Sequence, residues 1–179
     1  MANRIAIIGT LDTKGEEIGY LKQRIAEQGH SPIVIDGGIL GSPSIQPDIT
    51  RDEVAKAAGT SMDEVIALGD EAKAIAVMAD GISKILNERY PETGLDGILG
   101  IGGSMGSTLG LTVMEALPQS LPKLLLSVCA GPNVVPKDTV VMPSLADMCG
   151  INRITKVVLD RACGAILGMV EEVQQEVTP

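Results

Sequence analysis

The sequence predicts a doubly wound α/β fold, in which helices cover both faces of a mostly parallel sheet. Five short runs along the chain are apolar throughout, as strands are when both faces of their sheet are buried. Between these runs lie segments whose apolar residues recur at helical spacing. Strands that alternate with helices in this way are typical of parallel sheets. The fold is therefore expected to be Rossmann-like in the broad sense, and no shift in composition divides the 179 residues.

The first half of the chain supplies two strands and four helices. Ile18, Leu21 and Ile25 recur at helical spacing after the first apolar run. Thr50 and Ser61 each precede a glutamate by three residues, which predicts two short helices that begin with capping boxes. The predicted elements are a strand at Arg4–Gly9, a helix at 16–29, a strand within 31–38, a loop at 39–51, short helices within 50–59 and 61–70, and a helix from about Asp70 to Asn87.

The second half repeats this pattern of buried strands and helices. Its strands are predicted within "LDGILGIGG" (95–103), "PKLLLSVCAG" (122–131) and "DTVVMPS" (138–144). A helix is expected at 104–117, and a long closing helix from Asn152 to about Gln175.

The closing helix carries two glycines, Gly164 and Gly168, on a surface that includes the apolar residues Val157 and Ile166. A glycine inside a helix costs about 1 kcal/mol relative to alanine. The pair therefore predicts close packing against another backbone. That backbone belongs either to a second copy of the chain or to the sheet of this domain.

Glycine, hydroxyl and carboxylate residues follow most of the predicted strands. The loops read "GTLDTKG" (9–15), "DGG" (36–38), "GGSMGS" (102–107), "CAGPN" (129–133) and "MPSLAD" (142–147). In open α/β sheets, ligands bind beyond the carboxyl ends of the strands. The sequence therefore predicts a ligand site built from these loops.

The stretch "GIGGSMGST" predicts an anion site at the start of a helix. Glycines let the backbone approach a ligand closely. A helix N-terminus offers free N–H groups and the positive end of the helix dipole. The alternative is a tight turn whose serines only cap the helix. The candidate binding residues are Gly102, Gly103, Ser104, Gly106, Ser107 and Thr108.

The first loop contributes one cation and three side-chain oxygen groups, from Thr10, Asp12, Thr13 and Lys14. Lys14 can neutralise a phosphate as a point charge. Asp12 can hold Mg²⁺ through water, or it can cap the helix expected to begin near Gly15. The local chemistry favours neither role over the other.

Three further polar residues are candidates for a site. Asp36 ends the second strand, near the place where dinucleotide folds keep an acid for the ribose hydroxyls. It can also initiate the turn that follows it. Asp147 and Asn152 flank the start of the last helix, where capping is the simpler role.

The composition argues against several classes of function. The net charge is −9, with 23 acidic and 14 basic residues, which disfavours nucleic acid as the main partner. The three cysteines share no CxxC spacing and there is one histidine, so a redox or His-based metal site is not expected. No apolar stretch approaches the roughly 20 residues of a membrane span, and no signal peptide is visible. A soluble, cytoplasmic protein is expected.

Four stretches together resemble the N-terminal ATP-binding domain of the tomato mosaic virus resistance protein family. They are "GTLDTKGEE", "IGGSMGST", "MPSLADMCGIN" and "VLDRACGAILGM", and the resemblance covers about residues 3 to 172. It implies a Rossmann-like domain that binds ATP and self-associates into homodimers. We expect Mg²⁺ to accompany the nucleotide.

The sequence departs from that family in two ways. Family chains usually continue into a second domain of comparable size, so residues 1–179 are expected to form one nucleotide-binding-like domain. A second domain, or a separate C-terminal half, is then a further expected partner. The segment 129–141 also looks shorter and less polar than its counterpart in the family.

The favoured interpretation is a nucleotide-binding domain, with ATP phosphates on the loop 102–108 and Asp36 near the ribose. One alternative is an enzyme domain for a small carboxylate or a phosphorylated metabolite, with Asp12 or Asp147 as its base. Another is a structural half whose polar loops dock a partner domain. No Cys–His pair or carboxylate dyad marks a base, so binding is better supported than catalysis.

Overall fold

Five parallel strands form one sheet. The structure, a computed structural model, describes residues 2–90, 94–129 and 135–174. The strands are β1 (Arg4–Gly9), β2 (Ser31–Asp36), β3 (Gly97–Gly102), β4 (Lys123–Ser127) and β5 (Thr139–Pro143). Their order across the sheet is β2-β1-β3-β4-β5, and every neighbouring pair is parallel.

Helices cover both faces of this sheet. They are α1 (Leu11–Glu27), α2 (Arg51–Ala57), α3 (Met62–Ala67), α4 (Glu71–Arg89), α5 (Ser104–Glu115) and α6 (Arg153–Gln174). Along β1, Ile5 and Ile7 face α1 and α6, whereas Ala6 and Ile8 face the other four helices. Because both faces are buried, the strand is apolar throughout. The predicted α/β fold class is confirmed.

The order of the strands creates a crevice between β1 and β3. The chain passes from β1 to the edge strand β2 and then returns to β3 on the other side of β1. The helices that follow β1 and β3 therefore lie on opposite faces of the sheet. Ile8 of β1 is in register with Gly100 of β3, so the loops after the two strands begin side by side. Open α/β sheets bind ligands at such a switch point.

Helix α1 begins earlier than the sequence predicts. Its expected start was near Gly15, but the helix starts at Leu11. Lys14 has non-helical backbone angles (φ −126°, ψ 17°), so the first turn is set off from the rest of the helix by a kink. The carboxylate of Asp36 accepts a hydrogen bond from the Leu11 N–H at 3.2 Å, which holds this added turn against the end of β2.

The other predicted elements are present, with boundaries that shift by a few residues. Both capping boxes are confirmed: the Thr50 hydroxyl accepts from the backbone of Glu53, and Ser61 does the same for Glu64. In each case the glutamate side chain binds back to the N-cap.

The closing helix α6 is buried on one side only. Ala162 and Ile166 pack against the sheet, whereas Gly164 and Gly168 are exposed. A Cβ atom built on either glycine has no heavy atom within 4 Å. The two glycines therefore do not pack against the sheet, which was one of the two expected arrangements. Neither α6 nor another helix in the described ranges is long and apolar enough to cross a membrane.

Candidate functional site

A cleft of about 240 Å³ lies at the crevice between β1 and β3. Its walls come from the start of α1, the loop after β2, the start of α4 and the turn between β3 and α5. The structure brings seven of the eleven predicted binding residues into this cleft: Thr10, Asp12, Thr13, Lys14, Gly103, Ser104 and Gly106. The other four, Asp36, Gly102, Ser107 and Thr108, are not part of its lining.

The N-terminus of α5 opens directly into the cleft. Gly103 is the N-cap residue, so it provides no side-chain cap, and the first turn contains no acidic residue. The N–H groups at the start of a helix have no partner within the helix. With the helix dipole, they make this end of the cleft electropositive and suited to an anion.

The adjacent glycines Gly102 and Gly103 have different roles. A Cβ on Gly102 would lie 2.5 Å from the Cα atom of Gly106 and 2.6 Å from its carbonyl carbon. Gly102 is therefore required for the close contact between β3 and the first turn of α5. A Cβ on Gly103 would meet only a methyl group of Val128, at 3.7 Å. Packing within the described residues does not require glycine at position 103.

Two of the three predicted hydroxyls point away from the cleft. The Ser107 hydroxyl is buried and lies 2.7 Å from the Ser127 hydroxyl on β4. The Thr108 hydroxyl donates to the carbonyl of Ser104 in the preceding turn, at 3.0 Å. Ser104, Ser107 and Thr108 lie on one face of α5, because residues three and four apart on a helix are neighbours. The hydrogen bonds of Ser107 and Thr108, and not their spacing, therefore keep these two hydroxyls from the cleft. Of the three hydroxyl residues at the start of α5, only Ser104 lines the cleft.

Asp12 closes the loop that follows β2. Its Oδ2 atom accepts hydrogen bonds from Leu40 N at 2.8 Å and Gly41 N at 3.0 Å. Its Oδ1 atom is buried and has no hydrogen-bond partner among the described residues. Beside it, the hydroxyls of Thr10 and Thr13 are 2.7 Å apart. The first loop is thus an ordered turn that also forms one wall of the cleft.

Lys14 joins the cleft to the loop between β5 and α6. It is the only basic residue of the described chain that lines the cleft, and its Nζ atom donates to the carbonyl of Met148. One turn further along α1, Glu17 is buried, and its Oε1 atom accepts from Gly150 N at 2.9 Å. Part of the stretch "MPSLADMCGIN" is therefore anchored on α1, a contact that sequence reasoning did not predict.

Asp36 is buried in the turn after β2 instead of facing the cleft. It is 1% exposed, and its Oδ1 atom accepts from Gly38 N at 2.8 Å and from Leu11 N. Burial raises the pKa of this carboxyl, and the negative charge of Asp12 raises the pKa further, while the two N–H donors oppose the shift. The expected ribose contact is not supported, because this side chain stabilises the turn and the start of α1.

The acid Asp147 and the amide Asn152, near the last helix, also differ in role. Asn152 caps α6, because its Oδ1 atom accepts from the N–H groups of Ile154 and Thr155 at 2.8 and 3.1 Å. Asp147 is exposed and does not line the cleft, so it is not placed to act as a base there. Of the loop "CAGPN", only Cys129 lies within the described residues.

Sequence reasoning missed five residues that line the cleft, four of them outside the two motifs. Glu71 and Ile75 from α4, Ile39 and Leu40 from the loop after β2, and Met105 from α5 all line it. The side chains of four of these five residues are apolar, so this part of the cleft is suited to an uncharged portion of a ligand.

The side chains of the cleft do not form a metal site by themselves. Within residues 2–90, 94–129 and 135–174, no group of three or more histidine, cysteine, aspartate or glutamate side chains is arranged to hold a metal ion. Of the Asp12 oxygens, one is engaged by the loop and the other is enclosed. A Mg²⁺ ion here would depend on ligands from a phosphate group.

Comparison with known proteins places the chain in a family. A family model described as "Uncharacterised protein family (UPF0261) N-terminal domain" matches residues 3–175. The chain belongs to the UPF0261 family. A UPF0261 protein of Clostridium tetani is 37% identical over 175 residues, covering 96% of this chain and 43% of the relative. A UPF0261 protein of Brucella suis is 35% identical over 178 residues, covering 96% and 42%.

The comparison also confirms the resemblance predicted from the sequence. The ToMV resistance protein Tm-1(GCR237) of Solanum lycopersicum is 30% identical to this UPF0261 chain over 186 residues. The alignment covers 93% of the chain and 25% of the tomato protein. The chain thus spans less than half the length of these relatives.

Proposed function

We propose that this UPF0261 domain binds a nucleotide, with ATP as the first candidate, in the cleft between β1 and β3. The observation that carries the proposal is the N-terminus of α5. It opens into the cleft with a glycine N-cap and without an acidic residue in its first turn. The phosphates of the nucleotide would bind there.

The two helices that start at this crevice support the same location for the phosphates. At the start of α1, the carboxylate of Asp36 already accepts from Leu11 N, and Asp12 lies in the first turn. Acidic side chains therefore already lie at the N-terminus of α1, whereas the N-terminus of α5 is available to an anion. Lys14 faces the same cleft and can exchange the carbonyl of Met148 for a phosphate oxygen.

The apolar lining supports a ligand with an uncharged ring. Ile39, Ile75 and Met105 line the cleft, and the chain contains no Phe or Trp on which a base could stack. Aliphatic side chains on either side of a base can replace aromatic stacking through burial of its faces. We propose that Mg²⁺ accompanies the nucleotide on its phosphates, since the described residues offer no group of three or more potential metal-ligating side chains.

A second candidate function is favoured by the size of the cleft. Its volume of about 240 Å³ is below the range of roughly 300–1,000 Å³ of pockets that enclose a drug-sized ligand. A small phosphorylated or carboxylate metabolite would be enclosed, whereas a nucleotide would be partly exposed. Among the described residues, no histidine or cysteine lines the cleft and Asp12 is bound by the loop after β2, so this alternative also concerns binding more than catalysis.

Calorimetric titration of the purified chain with MgATP, adenosine, inorganic phosphate and a panel of small organic acids tests the proposal. MgATP at about 100 times its Kd should add roughly 2.7 kcal/mol to the free energy of unfolding. At about 2–4 °C per kcal/mol, the Tm should rise by roughly 5–11 °C. If millimolar MgATP has no effect while an organic acid binds, the nucleotide proposal is wrong and the second candidate replaces it.

The Lys14→Ala variant tests how the ligand is held. It should weaken ATP binding on the order of tenfold and leave adenosine binding unchanged, because the ammonium group contacts only phosphate. Lys22→Ala is the matched control: Lys22 lies on the same helix, pairs with Asp48 and does not line the cleft. Equal losses for ATP and adenosine in Lys14→Ala would show that Lys14 acts only through the loop at Met148.

A further inference from the structure

Three acidic residues surround the cleft, and only one keeps its carboxylate uncommitted. In Asp12, one oxygen accepts from the N–H groups of Leu40 and Gly41 and the other is enclosed. Asp36 is buried in its turn and does not line the cleft. Glu71 does line the cleft and is exposed, and its side chain has no hydrogen bond or ion pair with another described residue.

Glu71 lies on the same face of α4 as a row of buried apolar residues. Residues Ile75, Met78 and Ile82 follow it at the spacing of one helix face, and all three are buried in the core on this side of the sheet. Glu71 is the first member of this stripe. Side chains on a helix lean toward its N-terminus, so the Glu71 side chain extends away from Ile75 at the start of α4, where both residues line the cleft.

Helix capping does not account for this glutamate. The N-terminus of α4 is capped by Asp70, whose Oδ1 atom accepts from Lys73 N at 3.1 Å. In α2 and α3, the first-turn glutamates Glu53 and Glu64 bind back to the N-cap residue. Glu71 is the first residue of its helix and makes no such bond. Its side chain is therefore available to a ligand.

We infer that Glu71 selects the ligand by accepting a hydrogen bond from a donor group on its nucleoside part. The inference rests on the proposed function, since it assumes that the phosphates bind at the start of α5. A carboxylate only accepts hydrogen bonds, and it repels phosphate, so its partner must be an uncharged donor or a cation. In a nucleotide the donors are the ribose hydroxyls and the exocyclic amine of the base. Glu71 takes the role that the sequence assigned to Asp36.

Three nucleotides of equal charge distinguish these donors. ITP replaces the amine of ATP with a carbonyl group, and 2′,3′-dideoxyATP lacks the two ribose hydroxyls. Because all three carry the same phosphates, the ratio of their Kd values cancels the repulsion between Glu71 and the triphosphate. Titration calorimetry in excess Mg²⁺ is the suitable method, since the chain has no Trp to report binding by fluorescence.

The variants are Glu71→Ala and its matched control Glu88→Ala. Glu88 lies on the same helix, is exposed and does not line the cleft, so the control removes the same charge without touching the site. The wild-type chain should bind ATP roughly 10- to 150-fold more tightly than one of the two analogues, as expected for one hydrogen bond to a charged group. Glu71→Ala should reduce that ratio to near one, and Glu88→Ala should keep it.

The outcomes separate the inference from the proposed function. A preference over ITP that disappears in Glu71→Ala assigns the amine as the donor, and one over dideoxyATP assigns the hydroxyls. If ATP binds and both ratios are the same in the wild type and Glu71→Ala, the inference is overturned and nucleotide binding stands. If the folded wild-type chain binds none of the three nucleotides, the proposed function fails and the inference fails with it.

Discussion

Replacing Gly102 or Gly103 with alanine should have very different effects on stability, although the two residues are adjacent. A Cβ at position 102 would lie 2.5 Å from Gly106 Cα and 2.9 Å from Ser107 N. Carbon atoms normally pack at about 3.5–4.0 Å. The first turn of α5 would have to move by about 1 Å, because the atoms it meets belong to the backbone and cannot rotate away.

The magnitudes follow from this difference. Overpacking of this kind costs about 1–3 kcal/mol, which for a chain of this size corresponds to a fall in Tm of roughly 2–12 °C. We expect Gly102→Ala to lie toward the upper end of that range. In Gly103→Ala the new Cβ meets only Val128, at 3.7 Å. The remaining cost is that of a poorer N-cap, about 1 kcal/mol or less.

Circular dichroism during thermal and urea unfolding measures both variants against the wild type. Gly102→Ala should have a clearly lower Tm than Gly103→Ala, with both chains still helical at 25 °C. In the same samples, Gly103→Ala should weaken MgATP binding, since a methyl group there reduces the approach of a phosphate to the helix start. Equal stability of the two variants would refute the packing argument, and normal ATP binding by Gly103→Ala would mean that the ligand does not approach this residue.

Three further predictions concern other parts of the molecule. Burial raises the pKa of Asp36 above its ordinary value of 3.8, so ionisation of this carboxyl destabilises the fold as pH rises above that value. Relative to the wild type, Asp36→Asn should therefore gain stability as pH rises above about 4, measured by urea unfolding. A difference that stays constant with pH would contradict this. Glu17→Ala removes the acceptor of Gly150 N and should cost about 1–3 kcal/mol, whereas Glu17→Gln should cost less. The exposed Gly164 and Gly168 lead us to expect a homodimer that Gly168→Leu dissociates without unfolding; light scattering that gives 18.6 kDa for the wild type would exclude it.

The sequence was sufficient to predict the elements and the general position of the cleft, for reasons that are local. Ile5, Ala6, Ile7 and Ile8 are all apolar because both faces of β1 are covered. Capping boxes depend on residues three positions apart, so the sequence predicts where α2 and α3 begin. Parallel strands place all their carboxyl ends at one edge, which brings the loops after β1 and β3 to the same place.

The orientation of individual side chains could not be predicted, because it depends on hydrogen-bond partners that are distant along the chain. The Ser107 hydroxyl is hydrogen-bonded to the Ser127 hydroxyl on β4 and does not reach the cleft. The Asp36 carboxylate accepts a hydrogen bond from the N–H group of Leu11, at the start of α1, which follows β1. The sequence does show Glu71 as an acidic residue at the start of a helix face that is otherwise apolar. Only the structure shows that the start of α4 lies at the crevice and lines the cleft.

The charge of the chain limits how the cleft can hold a polyanion. The protein has a net charge of −9, and of the described residues Lys14 alone contributes a cation to the cleft, beside Asp12 and Glu71. The phosphate binding that we propose would then rely on backbone N–H groups and the dipole of α5, which do not change with pH. Because unit charges near a protein surface interact by several kcal/mol at about 4 Å, a free triphosphate would be repelled more strongly than one neutralised by Mg²⁺. Removal of Mg²⁺ should therefore weaken ATP binding more than AMP binding, and equal effects on both would place the phosphates away from these acids.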